Sequence, residues 1–226
     1  MRAWFRPLLG GDLMDLGLLI PQMLEATLVT LKVFFLTLLF SLPLGLLVAF
    51  GRMSRCWLIR IPVQIYLLVM RGTPLILQLL FVYFGPYYLF GLNYDRFVAA
   101  IIAFTLNYAA YFAEIYRSGI ESIPKGQYEA AKVLGLTSSQ TFFRIILPQV
   151  IKRILPPMGN EFMTLVKDTA LAQTIGVMEL FRLAQNAQSR AFSTVPIVIA
   201  GIFYLVLNYI VEQCFHLMEK RLSYYR

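Results

Sequence analysis

The sequence predicts an all-α polytopic membrane protein with five transmembrane helices, the N-terminus outside and the C-terminus inside. Three observations carry that expectation. The 226-residue chain is 59% hydrophobic with a mean hydropathy of +0.69, above the roughly half-apolar average of soluble domains. Its apolar residues gather in stretches of about 20 residues or more, the length that crosses a bilayer. Its basic residues are unevenly shared between the two sides of those stretches. Twelve Lys and Arg, from Arg52 to Arg226, flank the side that carries residues 124–148, against Arg2, Arg6, Arg96, Arg182 and Arg190 on the other. Basic loops stay in the cytoplasm, so residues 124–148 are placed inside. The net charge of +8 then reflects cytoplasmic loops rather than a nucleic-acid surface.

The spans are expected at 25–50, 59–84, 97–116, 156–178 and 195–215, all in a single domain, 1–226. Ahead of the first, the run MDLGLLIPQML from Met14 reads as a short interfacial helix. Pro43 and Gly45 bend the first span near its end, and Lys32 snorkels toward its outer end. The second is interrupted at Met70-Arg71-Gly72-Thr73-Pro74. Broken backbone at membrane depth survives only where protein or water covers it; otherwise Arg71 sits in a loop between two short helices. Tyr87, Tyr88 and Tyr94 suit a membrane interface after Pro86. In the third span Asn107, Tyr111 and Glu114 share one face. The fourth, beginning at Pro156-Pro157, is the most polar, with Asn160, Glu161, Thr164, Lys167 and Asp168. Such charges face a bundle interior or an aqueous path, not lipid. Residues 179–194 form a polar outer segment before the last span.

Residues 124–148 are a polar island, PKGQYEAAKVLGLTSSQTFFRIILP. Pro124 suits the first position of a helix, with Ser122 just ahead as an N-cap. Gly135 falls where a left-handed C-cap is wanted. A second helix starts near Thr137 or Ser138 and is expected to end near Pro148, which lacks an N–H.

Glu129-Ala130-Ala131, three residues, Gly135, nine residues, Ile145, one residue, Leu147-Pro148 resembles the EAA loop of permease subunits of ATP-binding-cassette (ABC) importers. Arg71-Gly72-Thr73-Pro74-Leu75, Gln78 and Tyr83-Phe84-Gly85 resemble the polar amino-acid uptake branch, of histidine, arginine and glutamine type. So do Ala110-Tyr111, Ala113-Glu114-Ile115 and Lys167-Asp168-Thr169. Ala170 stands where that pattern would carry serine. The resemblance implies a type I importer permease fold with a cytoplasmic coupling helix, in a bacterial plasma (inner) membrane. It implies a second permease chain, identical or similar, two copies of an ABC ATPase, an extracellular or periplasmic solute-binding protein, and alternating access. It implies that Glu129, Ala130, Ala131, Gly135, Leu147 and Pro148 couple the chain to the ATPase, where Glu129 pairs with a basic residue and Ala130 and Ala131 permit close approach.

The chemistry absent from the sequence agrees with that division of labour. No phosphate-binding G-x-x-x-x-G-K-[ST] loop occurs, so no cofactor is expected on this chain, and ATP and Mg2+ belong to the partner ATPase. His216 is the single histidine, which leaves no histidine-based metal site or Ser-His-Asp triad. Cys56 and Cys214 have no metal or redox spacing and are expected as free thiols. No removable signal peptide is expected at the N-terminus. Glu114 and Glu161 have no nucleophile or ligand set beside them in sequence, which speaks against an intramembrane enzyme. Mid-span polar residues are functional by default, so Glu161, Asn160, Asn107, Glu114 and Gln78 are the candidate substrate contacts. Their alternative role is to hold helices together. Carboxylates facing a cavity favour a basic amino acid, arginine, lysine or histidine. Lys167 and Asp168 read as a charge pair, gate or clamp, and Arg71 and Arg117 as positioning groups. A passive channel or scaffold without an ATPase is the rival function class, and glutamine the rival cargo.

Overall fold

The computed structural model describes residues 16–222, and every regular element among them is helical. In order these are α1 (Leu16–Met53), α2 (Trp57–Gly72), α3 (Leu75–Phe90), α4 (Arg96–Glu121), α5 (Lys125–Val133) and α6 (Ser138–Thr141). A π turn (Phe142–Ile146) follows, then α7 (Leu147–Asp168), a 3-10 stretch (Thr169–Ile175), α8 (Leu180–Ala191) and α9 (Val195–Leu222). Three described helices, α1, α4 and α9, are each long and apolar enough to cross a membrane. The pair α2 and α3 makes a fourth if the broken pair is one span. The break falls where the sequence placed it. Thr73 is extended (φ −117°, ψ 147°), as a residue before proline prefers, and its hydroxyl donates to the Val69 carbonyl at 2.8 Å.

The elements differ from the sequence expectation at their ends. The separate interfacial helix does not form: from Leu16 onward its residues are the first turns of the 38-residue α1, while Met14 lies outside the described residues. Pro86 sits inside α3 rather than opening a connection. The fourth span does not begin at Pro156-Pro157, which lie inside α7. Residues 179–194 are largely helix α8.

Contacts group the described chain into two units. The first comprises the residues up to Leu38, Pro74–Phe104 and Met163–Ile210. Its core joins Leu19, Met23 and Ala26 of α1 to Leu180 and Ala184 of α8 and Ala200 of α9. Beside it lies a buried polar knot. Glu179, fully buried, accepts the N–H groups of Phe181 and Arg182, each at 2.7 Å, and the Tyr204 hydroxyl at 2.8 Å. The next N–H, of Leu180, donates to Thr30 Oγ1 at 3.2 Å. The orphan donors at the start of α8 are thus satisfied by a carboxylate, which also suits the positive helix end. Burial pushes the Glu179 carboxyl above its ordinary value, against the pull of those three donors.

The second unit comprises Leu39–Thr73, Thr105–Phe162 and the residues from Val211 on. Ala49, Leu67, Ala110 and Ala113 pack α1, α2 and α4 together. Small residues let those backbones approach closely: a β-carbon on Gly45 would lie 3.0 Å from the Ala109 carbonyl oxygen. Tyr66 donates to the Leu106 carbonyl at 2.5 Å, and Asn107 Nδ2 to the Met70 carbonyl at 3.1 Å. The latter bond covers an orphan carbonyl at the end of α2, just before the break.

Candidate functional site

The hairpin that links α4 to α7 is built from local signals. Ser122 does not cap α5; its hydroxyl donates back to the Gly119 carbonyl at 2.7 Å, and Pro124 occupies the cap position with α5 starting at Lys125. At the other end Gly135 is left-handed (φ 72°). Its N–H bonds the Lys132 carbonyl at 3.0 Å and the Leu136 N–H bonds that of Ala131 at 3.1 Å, the paired bonds of a Schellman stop. Thr137 and Gln140 then form a reciprocal capping box, with bonds of 2.9 and 3.3 Å.

The helix that follows does not stop at Pro148. The π turn ahead of it makes a longer bond, from the Leu147 N–H to the Phe142 carbonyl. The Gln149 side chain donates to the Ile145 carbonyl at 2.9 Å, and α7 runs on through Pro148. Gln149 also donates to Gln127 of α5 at 3.2 Å, and the Arg153 guanidinium donates to the Ser122 carbonyl. Beneath them Ile123, Ile146 and Val150 form a buried apolar base. The hairpin therefore moves with the ends of α4 and α7.

Of the six coupling candidates, Glu129, Ala130, Gly135 and Pro148 are exposed and Leu147 is half-buried. Ala131 is fully buried and packs inside the hairpin. Sequence reasoning missed Val133 and Leu134, which are 87% and 75% exposed at the tip. Two apolar residues just ahead of a capping glycine, on an otherwise polar helix, were the available signal.

Gln78 is buried in α3 and Asn107 in α4. Glu161 is half-buried and Asn160 exposed on α7; neither is a partner of Glu114. Glu114 is the centre of an arginine cluster. Arg117 reaches its Oε2 with Nη2 at 2.7 Å and with Nε at 3.2 Å, while Arg71 stands at 3.6 Å and Arg52 at 3.9 Å. Arg117 also bridges to Glu121. Only the Arg117 pairings, one turn away on α4, were legible locally; those with Arg52 and Arg71 needed the fold. Arg52, Gln64, Leu67, Leu68, Arg71, Gly72 and Glu114 line a groove of about 580 Å³. Among the described residues no cluster of His, Cys, Asp and Glu could hold a metal ion.

The described residues thus combine helices long and apolar enough to cross a membrane with an exposed polar hairpin anchored at its base. Residues 41–224 match the family described as binding-protein-dependent transport system inner membrane component, and the chain belongs to that family. It is 39% identical over 198 residues to the L-cystine transport system permease protein TcyB of Bacillus subtilis, covering 87% of this chain and 84% of that one. It is 38% identical over 209 residues to the arginine transport system permease protein ArtQ of the same organism, covering 90% and 94%. In structure it is similar to a crystal structure of an amino acid ABC transporter with histidines, with a TM-score of 0.84 at 36% identity, covering 93% of this chain and 100% of that one. The inward-facing MetNI methionine ABC transporter shares the fold at 19% identity, with a TM-score of 0.71 over 92% and 99% of the two chains.

Proposed function

We propose that this chain is the permease subunit of an ATP-driven importer of polar amino acids in a bacterial plasma membrane, working by alternating access. ATP and Mg2+ bind two copies of a separate ATPase. A second permease chain completes the path, and a solute-binding protein delivers cargo from outside. The observation that carries this reading is the hairpin 124–148: its tip exposes Glu129, Ala130, Val133 and Leu134, while its base is fastened to α4 and α7. A force applied at the tip is transmitted to both helices. The five-span topology with the N-terminus outside requires α7 and the 3-10 stretch after it to cross as the polar fourth span, shielded from lipid by the other helices.

Basic amino acids are the preferred cargo, and Glu161, Asn160, Asn107, Glu114 and Gln78 the proposed contacts. The half-buried Glu161 carboxylate on α7 supports a cationic side chain. Relatives named for cystine, arginine and glutamine transport keep glutamine or another polar amino acid as the second reading. The test is reconstitution of the chain with its ATPase and binding protein in liposomes, followed by uptake of an amino-acid panel. ATP-dependent uptake is expected, with Glu161→Gln weakening arginine more than glutamine. Conduction without ATP, or no capture of an ATPase, would leave a channel or scaffold instead.

A further inference from the structure

The root of the coupling hairpin carries a groove of its own. Gln127 of α5, Arg144 of the π turn and Gln149, Lys152 and Arg153 of α7 line it, and its volume is about 580 Å³. Three cations meet there, and among the described residues no Asp or Glu lines it. Arg153 donates to the Ser122 carbonyl, which holds its guanidinium in place. Arg144 and Lys152 make no ion pair with a described residue. Like charges gathered without a carboxylate between them favour a bound anion. Phe143 and Ile151, each one residue ahead of a groove cation, are 63% and 41% exposed. Lys152 and Arg153 fall in the first two turns of α7, and no further charge follows them before Glu161. With α7 as a membrane span, those two turns, about 10 Å long at 1.5 Å per residue, cross the polar headgroup layer.

We infer that this groove holds the headgroup of an anionic membrane phospholipid, its phosphodiester taken by Arg144, Lys152 and Arg153 and its acyl chains lying along Phe143 and Ile151. This rests on the reading of α7 as a span and of the hairpin as cytoplasmic, the side on which basic pockets between helices meet anionic lipids. Guanidinium forks match carboxylate and phosphate alike. The exposed apolar pair and the headgroup level of Lys152 and Arg153 decide for a lipid over an acidic protein segment. Because the ligands come from the π turn and α7, with Gln127 of α5 beside them, a bound headgroup ties the root of the hairpin to the membrane surface and leaves the tip at Val133 and Leu134 open.

The test is native mass spectrometry of the purified full chain in a neutral detergent with equimolar phosphatidylglycerol and phosphatidylcholine, before and after the ATPase is added. A retained phosphatidylglycerol is expected, favoured over phosphatidylcholine about tenfold or more, since each basic residue at an anionic lipid surface contributes about fivefold. Arg144→Gln and Lys152→Gln should each lower that preference about fivefold, and Arg144→Lys should keep most of it. Arg55→Gln and Arg60→Gln, outside the groove, should leave it unchanged. Equal retention of the two lipids by the unmutated chain overturns the proposal without reliance on any variant's folding. So does a preference that both the Arg144→Gln and Lys152→Gln variants keep, or one that inorganic phosphate at the lipid's own concentration abolishes. Displacement of the lipid when the ATPase binds would give the groove to an acidic segment of that partner, and overturns the proposal too. Lipid retention is read on the chain alone, so it stands apart from capture of the ATPase, whose failure counts against the transport reading instead.

Discussion

A β-carbon on Gly119 would stand 2.2 Å from Ile154 Cγ2. The contact joins the last turns of α4 to the early turns of α7, the two ends of the coupling hairpin. Gly119→Ala must push Ile154 aside, at a cost of about 1–3 kcal/mol for an overpacked site. Thermal unfolding of the purified chain should fall accordingly. Ile154→Ala in the Gly119→Ala background should be less harmful than the two single effects combined, since the residues touch. Strictly additive effects would reject the clash as the cause.

Gly135 tests the corner of the hairpin. Its φ is +72° and nothing stands within 4 Å of the site a β-carbon would fill. A side chain there meets backbone strain, about 1–2 kcal/mol for a left-handed L-residue, which asparagine tolerates better. Gly135→Ala should weaken capture of the ATPase in a pull-down, and Gly135→Asn should weaken it less. Equal losses would point to a close approach by the partner rather than to strain.

The exposed pair Val133 and Leu134 gives the hairpin an apolar tip. On the coupling reading that tip is buried in the complex, and fully burying one such side chain contributes about 1.5–3 kcal/mol. Val133→Asp and Leu134→Asp should each reduce ATPase affinity about tenfold or more, while the free permease unfolds at its former temperature. Unchanged affinity in both would move the docking surface elsewhere on the loop.

The contrast between hairpin and arginine cluster shows what a sequence discloses. Gly135, Thr137 and Gln140 act on backbone within a few residues, so their roles were legible. Pro148 and Pro156-Pro157 misled because a proline weakens a helix without always ending it, and α7 runs through the last two. At Pro148 the π turn just before it has already changed the bonding pattern, and the Gln149 side chain donates to the neighbouring Ile145 carbonyl. Asn107 and Glu114 stood out as polar residues on an apolar helix. Arg52 and Arg71, read as a basic flank and a positioning group, meet Glu114 only once α1, α2 and α4 are packed, and no periodicity announces that.

Glu179 was passed over as part of a polar segment, yet it is fully buried and caps α8. Glu179→Ala would strand two backbone N–H groups and remove the carboxylate acceptor of the Tyr204 hydroxyl. The expected loss is about 2–3 kcal/mol from the cap and the unsatisfied donors. Tyr204→Phe removes one donor and should cost about 1 kcal/mol. Thermal unfolding ranks the variants, and limited proteolysis should cut first within 180–191 in Glu179→Ala. A Tyr204→Phe effect as large as that of Glu179→Ala would show that the hydroxyl, not the cap, dominates.

Cys56 offers the most direct test of orientation. Both cysteines are exposed free thiols, and the proposed topology puts both on the cytoplasmic side. In a chain carrying Cys214→Ser, Cys56 should react with a membrane-impermeant maleimide in inverted vesicles and stay unlabelled in intact cells. It lies in the short turn between α1 and α2, so its access reports the side on which α1 ends. The opposite pattern would put the C-terminal end of α1 outside. By the same span count the hairpin 124–148 would then lie outside too, beyond reach of any cytoplasmic ATPase. The coupling roles proposed for Glu129, Val133, Leu134 and Gly135 would fall together, before any transport assay was needed.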